Sequence, residues 1–327
     1  MLTLRQMRYF QALSETLHFG RAAKRLHISQ PALSGQIAQM EEFFGTALFS
    51  RTSAGVALTS DGMMVGERVR SILAEVKELE SLGDTGSALM GRRLRVGMIA
   101  TVAPYLLPKL LPALSKEFPA LECEIRESIT ERLVADLQSG EIDCAVVALP
   151  IGDADIETIP LFDDPFYLAV PAHEAVRLPN PVPASLLATE RMILLEEGHC
   201  LRAQTMDVCR LADDHERAAF GATSLTTVLR MVAGGLGSTL IPAMAVEDEN
   251  RSAGIAILAI EEPAPSRRLA LAFRQTTVRL RDFRAFATVL CRAMGRDGPY
   301  LGQEGDPPRR TETSKAGKRG GDRSVAR

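Results

Sequence analysis

The 327-residue chain predicts a mixed α + α/β protein, a small helical domain followed by a larger domain of alternating strands and helices. Three observations predict it. Up to Phe44 the apolar residues recur in steps of three and four. Residues 60–82 then read as one longer helix. From residue 92 short apolar runs alternate with amphipathic stretches for about 200 residues, the pattern of βα units. No apolar run approaches the ~20 residues needed to cross a bilayer. Met1 to Phe19 carries scattered charges and no signal-peptide core. A soluble cytoplasmic protein with no membrane partner is the expectation.

The first domain is read over residues 1–60. Met7, Phe10, Leu13 and Leu17, then Ala22, Ala23 and Leu26, then Leu33, Ile37, Met40 and Phe44 mark three helices. Gly20 and the turn Ile28-Ser29-Gln30-Pro31 separate them. Ser29 can cap the third helix, and Pro31 is tolerated in its first turn. Two short helices at a tight turn read as a helix-turn-helix. With Leu33, Ile37 and Met40 buried, Gln30, Pro31, Ser34 and Gln36 are left to face a groove of double-stranded DNA. Leu48 to Thr59 reads as two short extended pieces around Ser53-Ala54-Gly55, a wing with Arg51 at its base. Residues 1–51 carry six Lys/Arg against three Glu, a net +3 that suits a nucleic-acid footprint or an ordinary solvated helix face.

Residues 61–91 are read as a linker helix and hinge. Val65, Val69, Ile72, Val76 and Leu79 fall at steps of four, three, four and three, the seam of a two-stranded coiled coil. A homodimer would match a two-fold operator. The alternative is a helix packed on its own domain. Gly83 to Gly91 reads as a connection.

Residues 92–302 form the α/β domain, with strands expected at 93–99, 121–127 and 143–149 and near 166–170, 191–195, 238–241, 255–259 and 268–273. Helices are expected between the first strands, at 131–139, and near 201–212, 224–234 and 280–294. Residues 303–327 carry seven basic and four acidic residues without apolar periodicity and read as a disordered tail.

Five cysteines are present, an odd number that argues against a full disulfide framework. Cys123 and Cys144 lie in strand-like runs and read as small core hydrophobes. Cys200 and Cys209 differ. Cys200 follows His199, precedes Arg202 and would open a helix, surroundings that lower a thiol pKa. In a reducing cytosol such a pair points to catalysis, redox sensing or metal binding rather than to a structural disulfide.

The first ninety residues resemble the LysR-type transcriptional regulators. The carrying stretches are Phe19 to Ile37, with its Ala22-Ala23-Lys24-Arg25-Leu26 and Ser29-Gln30-Pro31-Ala32-Leu33-Ser34, and Leu48-Phe49-Ser50-Arg51-Thr52. The resemblance implies a winged helix, a dimer through linker helices and a two-lobed effector domain of the periplasmic-binding-protein type. Within that family, Thr101 to Pro108, Leu195 to Arg202, Cys209, Ala222 to Leu225 and Arg267-Arg268 resemble the hydrogen-peroxide-sensing members. By that resemblance Cys200 is the peroxidatic cysteine and Cys209 the resolving one, and Thr101, Thr130, His199 and Arg268 surround the reactive sulfur. It further implies an operator DNA, hydrogen peroxide, a tetramer built as a dimer of dimers, RNA polymerase and a thiol reductant as partners, with no cofactor, no metal and no enzymatic role. One departure stands out. Those members carry a His where this chain has Ala219, and His215 is out of register.

Peroxide reduction begins with a thiolate attacking one oxygen, and the leaving hydroxide needs donors already in place. The product is a sulfenic acid, which condenses with a second thiol. If 201–212 is one helix, nine residues rise ~13 Å and turn ~900°, placing Cys200 and Cys209 on opposite faces. A disulfide needs Cα atoms within ~7 Å, so oxidation must unwind the segment. Other readings remain open. The two thiols can be inert core residues or, with His199 and His215, metal ligands. Thr101 and Thr130 can be helix caps and Arg268 a surface charge. A metabolite sensor could hold an anion with Thr101, Thr130, Thr223 and Ser224, and a thiol peroxidase would turn over with a reductant.

Overall fold

The computed structural model describes residues 1–52, 55–84, 89–90, 93–209, 221–250 and 254–300. The three N-terminal helices are α1 (Leu4–Thr16), α2 (Phe19–Arg25) and α3 (Gln30–Phe44). Each starts at a side-chain cap. Thr3 and Gln6 form a reciprocal box on α1, and His18 caps α2. Ser29 accepts from the Ala32 N–H at 3.3 Å to cap α3. Phe10, Leu13, Ala22, Leu33, Ile37 and Met40 fill the space between the helices with no solvent exposure. The wing strands β1 (Phe49–Thr52) and β2 (Gly55–Leu58) pair antiparallel, and the Ser53-Ala54 turn lies outside the described residues.

Helix α4 (Ser60–Asp84) has two apolar faces rather than one seam. Val69 and Leu73 are buried in the N-terminal core of their own chain. Gly62 allows the close approach, because a Cβ there would lie 2.0 Å from the Leu48 carbonyl oxygen. Ile72 and Leu79 point outward, and Val65 and Val76 are half-buried. Of the five expected seam residues, Val69 is buried in the core of its own chain and Val65 packs against that core, which leaves the stripe Ile72, Val76 and Leu79. Further along, Lys77 pairs with Glu141, and Ala74 packs at Gly140, tying α4 to the α/β domain. The expected connection at 83–91 begins as helix through Asp84, and 85–88 and 91–92 lie outside the described residues.

The α/β domain runs β3 (Arg93–Ile99), α5 (Ala103–Glu117), β4 (Glu122–Ser128), α6 (Thr130–Gln138), β5 (Cys144–Ala148), β6 (Ile156–Pro171), α7 (Ala184–Leu187), β7 (Leu194–Leu195), α8 (Cys200–Val208), β8 (Gly221–Ala222), α9 (Leu225–Ala233), β9 (Thr239–Pro242), α10 (Ala243–Glu249), β10 (Ile255–Leu258), β11 (Ser266–Arg274) and α11 (Leu280–Ala293). The sheet order is β10-β6-β11-β5-β3-β4, with β9 also on β6. Strand β3 is parallel to β4 and β5, while β11 lies antiparallel between β5 and β6. The long β6 changes partners along its length. Residues up to Pro165 pair with β11, and from Phe166 onward they pair with β9 and β10. One strand thus serves both lobes. Strands β7 and β8 form a separate parallel pair beside α8. Helices α7 and α10 were not expected from sequence: one has four residues and the other seven, too short for a periodic signal.

Cys144 and Cys291 are buried and Cys123 is half-buried; burial raises the Cys123 and Cys291 thiols to about 11. Helix α8 stops at Val208, short of the expected 212, with Cys209 as its C-cap. Residues 210–220, including His215 and Ala219, lie outside the described residues, as do those from 301 onward. No helix among the described residues is long and apolar enough to cross a membrane.

Candidate functional site

Four separate segments bring one thiol into a polar crevice. Gly198 turns the chain at φ +87°, where a Cβ would meet Ile129 Cδ1 at 2.9 Å. His199 then occupies the N-cap position of α8, and Cys200 is its first residue. Cys200 lines a crevice with Thr101, Ser128, Ile129, Thr130 and His199 that is too narrow to hold a water. It also lines an outer bay that includes Ala148, Pro150, Arg202, Ala203 and Met206. Thr130, His199 and Cys200 line both spaces.

Behind the crevice lies Arg267 on β11, whose side chain has no solvent exposure. It donates to Thr101 Oγ1 at 2.7 Å and to the Thr101 carbonyl at 3.2 Å. It also pairs with Asp164 at 3.0 Å, and the other Asp164 oxygen accepts from the Met244 N–H at 3.0 Å. This is a buried charge with its partner in place, the condition for keeping a guanidinium out of water. Because Thr101 Oγ1 accepts from Arg267, its own hydrogen is left to donate. The Thr130 hydroxyl faces the Cys200 thiol and favours its ionised form. Yet Thr130 Oγ1 is buried without a well-aligned hydrogen-bond partner among the described residues. Neither threonine is a helix cap, since Val102 and Ile129 hold the N-cap positions of α5 and α6.

The electrostatics overturn the expectation of a low thiol pKa. Burial pushes the Cys200 thiol above its ordinary value. The Arg267 charge, the Thr130 hydroxyl and the backbone N–H groups of Leu201 and Cys200 pull it down without offsetting desolvation. Arg202, the charge that the sequence placed beside the thiol, instead donates to the Leu195 carbonyl at 3.1 Å.

Arg268 is not in this site. Its side chain is 53% exposed, bonds Asp163 at 2.7 and 3.1 Å, and lies over the Tyr300 ring at 5.6 Å. Adjacent residues of a strand face opposite sides, so a one-residue shift exchanges a surface arginine for a buried one. A signal existed. Arg267 shares strand parity with the bulky Leu269, Leu271 and Phe273, whereas Arg268 shares it with Ala270 and Ala272. Sequence reading also missed Asp164 and Ser128, which no local pattern marks.

The second thiol is at the far end of α8. Cys209 is 1% exposed, packs in the main core, and burial raises its thiol to about 11. Nine residues of helix separate it from Cys200 by ~13 Å of rise, and both thiols are free. The metal reading needs these two sulfurs to converge, and they sit at opposite helix ends; His215 lies outside the described residues.

On the N-terminal domain, Gln30 and Pro31 are exposed at the start of α3, and Ser34 is half-buried. The Ser29 hydroxyl is committed to its cap, and Gln36 donates to Gln39 Oε1 at 3.2 Å. The Arg51 guanidinium stacks 4.3 Å over the Phe19 ring, between the wing and α2.

A winged helix-turn-helix joined by a long helix to a two-lobed α/β domain defines a class of bacterial DNA-binding regulator. Residues 4–63 match the lysR-family bacterial regulatory helix-turn-helix protein, and residues 87–295 match the LysR substrate binding domain. The chain belongs to the LysR family. It is 41% identical over 273 residues to the hydrogen peroxide-inducible genes activator of Pectobacterium carotovorum subsp. carotovorum, covering 84% of this chain and 90% of the relative. The same figures hold for the DNA-binding transcriptional dual regulator OxyR of Escherichia coli K12. Among solved structures it is similar to a full-length cysteine-to-aspartate variant of Pseudomonas aeruginosa OxyR, with TM-score 0.73 and 33% identity over 93% of this chain and 99% of that one. A hydrogen-peroxide-bound cysteine-to-serine variant of Corynebacterium glutamicum OxyR aligns with TM-score 0.61 and 35% identity, over 90% of this chain and 94% of that one.

Proposed function

We propose that this chain is a hydrogen-peroxide-sensing transcriptional regulator that works in a reducing cytoplasm, with Cys200 as its sensor and Cys209 as its resolving thiol. The observation that carries the reading is the setting of Cys200: Thr101, Thr130 and the buried Arg267 converge on one thiol, while a second waits at the other end of a single short helix. The peroxide-responsive relatives support it. Arg267 takes the role that the resemblance gave to Arg268, and His199 lines the same crevice.

The Cys200 sulfur attacks one peroxide oxygen, forming an S–O bond as the O–O bond breaks. The thiol proton ends on the departing oxygen as water, and the sulfur is left as a sulfenic acid. Thr101, polarised by Arg267, and Thr130, whose hydroxyl has no aligned partner, are the donors for the developing hydroxide. Cys209 then displaces the sulfenic oxygen as a second water, closing a disulfide.

Closure requires α8 to open, because ~13 Å of helix cannot meet a disulfide limit of ~7 Å. Helix α8 is suited to this. At nine residues it is below the ~12–15 needed for an isolated helix to persist. Gln204 Oε1 is buried in it with no hydrogen-bond partner among the described residues, a cost of roughly 1–3 kcal/mol. The rearranged segment shifts the effector domain and, through α4, the winged helices. The α4 helices pair across Ile72, Val76 and Leu79 in a dimer, two dimers forming the tetramer. Gln30 and Ser34 read operator bases, Pro31 packs at the groove edge, and Arg51 contacts backbone. Gln36 joins Gln30 and Ser34 at the bases, and Ser29, as the cap of α3, sets the start of that helix against the DNA. RNA polymerase is the downstream partner and a cellular thiol reductant resets the switch.

Footprinting on the operator tests this. Peroxide should change the protected span with the wild type and leave it unchanged with Cys200→Ser. An identical peroxide response in both would overturn the proposal.

A further inference from the structure

Two aspartate–arginine pairs lie side by side where β6 pairs with β11. In the strand register Arg267 stands opposite Asp164, and Arg268 stands opposite Asp163. The Arg268–Asp163 pair is at the surface, where an ion pair contributes little. The Arg267–Asp164 pair is sealed, with side chains 0% and 2% exposed. We propose that Asp164 is a positioning residue for peroxide reduction: it fixes the plane of the Arg267 guanidinium and, through it, the direction in which Thr101 donates. That role rests on the proposed peroxide chemistry of Cys200.

A guanidinium is flat, and its donors leave it in fixed directions. Holding one edge therefore aims the other. Asp164 Oδ2 takes the Nε edge, 3.0 Å from Nε and 3.0 Å from Nη2. The far side is thereby presented to Thr101, with Nη1 donating to Oγ1 at 2.7 Å and Nη2 to the carbonyl at 3.2 Å. Nη2 also meets Met244 Sδ at 3.4 Å. The carboxylate is itself held. Asp164 lies one residue before Pro165, the last position of β6 that pairs with β11, and its Oδ1 accepts from the Met244 N–H in the first turn of α10 at 3.0 Å. With both oxygens engaged, the plane of the carboxylate is set, and the plane of the guanidinium follows. Thr101 Oγ1 accepts from Arg267, so its hydrogen is the one given to the departing oxygen.

Two plainer roles for Asp164 carry different signatures. If it only neutralised Arg267, removing its charge would leave the guanidinium unopposed, and the Cys200 thiolate would form more readily. If it only held the fold, its loss would affect every reaction of Cys200 alike. The positioning role acts on one event, the departure of hydroxide, because that is where Thr101 donates. In Asp164→Asn one acceptor oxygen becomes an amide donor, which faces either Arg267 or the Met244 N–H. Donor then meets donor, the guanidinium turns, and Nη1 leaves Thr101.

The test takes the ratio of two rates on the full-length reduced protein at one pH. Hydrogen peroxide oxidation and iodoacetamide alkylation of Cys200 are each followed by rapid-quench mass spectrometry. The thiolate attacks both reagents, so its population cancels in the ratio. Peroxide expels a strongly basic oxygen that needs a donor, whereas iodide leaves without one. In Asp164→Asn the peroxide-to-iodoacetamide ratio should fall by about tenfold or more, short of the ~10²–10³ that outright loss of an oxyanion donor costs. Asp164→Glu, which keeps the charge and both acceptor oxygens, should bring the ratio to within about threefold of wild type. Asp163→Asn, at the surface, should leave it within about twofold. In a Thr101→Val background, Asp164→Asn should change it by less than about twofold, because the donor that Asp164 aims is gone. Should Asp164→Asn fail to fold, Arg267→Lys takes its place. An ammonium keeps the charge but is a point donor that cannot grip Asp164 and aim at Thr101 in one plane, so the ratio should fall likewise. An unchanged ratio in Asp164→Asn, or in Arg267→Lys where that variant stands in, would overturn the inference. So would both rates rising together. Failure of hydrogen peroxide to oxidise Cys200 in the wild type would instead overturn the proposed function.

Discussion

The two ends of α8 carry the same chemical group in opposite settings. At the N-terminal end Cys200 borders a bay and a crevice, faces Thr130, and lies within the field of Arg267. At the C-terminal end Cys209 lies in the hydrophobic core, and burial raises its thiol. The difference teaches that a solute can reach one sulfur while the other reacts only after the chain moves. In the proposed mechanism, access assigns the first step to Cys200, and helix geometry makes the second step conditional on a change of fold.

The largest effects should come from separating the two thiols. Cys200→Ser should abolish sulfenic acid and disulfide alike. Cys209→Ser should still form the sulfenic acid, readable as a dimedone adduct by mass spectrometry, and should fail to hold the switched DNA footprint. A full and lasting response in Cys209→Ser, with no other disulfide formed, would erase the contrast between the two ends.

Next comes the pair of arginines on β11. Arg267→Met removes the charge that lowers the Cys200 pKa, so it should raise that pKa and slow peroxide oxidation by about 10- to 100-fold at neutral pH. It should also lower stability by roughly 3–5 kcal/mol, because Asp164 would be left buried and unpaired. Denaturant melts check that part. Arg268→Ala, at the surface, should leave the oxidation rate within about twofold. Stopped-flow oxidation of both variants decides which arginine belongs to the site.

The pH dependence sharpens the same comparison. Burial raises the Cys200 pKa, so the protonated thiol is the resting form at neutral pH. The alkylation rate should therefore keep rising with pH past the ordinary thiol value of about 8.5, and Arg267→Met should move the curve further upward. A rate that levels off below that value in the wild type would show that the charges outweigh desolvation.

A smaller contrast of sealed and open positions recurs on α4. Val69→Glu puts a charge into the N-terminal core and should unfold that domain. Ile72→Glu, on the outward stripe, should leave the circular dichroism unchanged and shift the protein to monomers in sedimentation.

These contrasts also show what was legible in the sequence. The helices of the N-terminal domain follow from contacts three and four residues apart, so periodicity exposes them, and Ser29 and Pro31 mark where α3 starts. The first strands and β10 lie close to their expected bounds. Strand β6 instead runs from Ile156 rather than 166, because its first half, broken by Pro160 and Asp163-Asp164-Pro165, has no continuous apolar run. The strand expected at 191–195 is reduced to Leu194–Leu195. The site is another matter. It joins residues from the segments around 101, 130, 200 and 267, and the partner that holds Arg267 is Asp164, 103 positions away. No local pattern encodes that pairing. The choice between Arg267 and Arg268 turned on strand parity, and α4's two faces turned on whether Val69 met its own chain or another. Cys200's neighbours in sequence suggested a low pKa, but burial is a property of the assembled fold.

The central claim is that the disulfide and helix α8 exclude each other. The direct measurement is hydrogen exchange by mass spectrometry across residues 199–209, before and after peroxide, on samples whose Cys200–Cys209 bond is verified by peptide mapping. The account predicts that protected amides such as Cys209 N–H, bonded at 2.9 Å to the Thr205 carbonyl, lose their protection once the bond forms. Exchange that stays unchanged with the disulfide in place would contradict it.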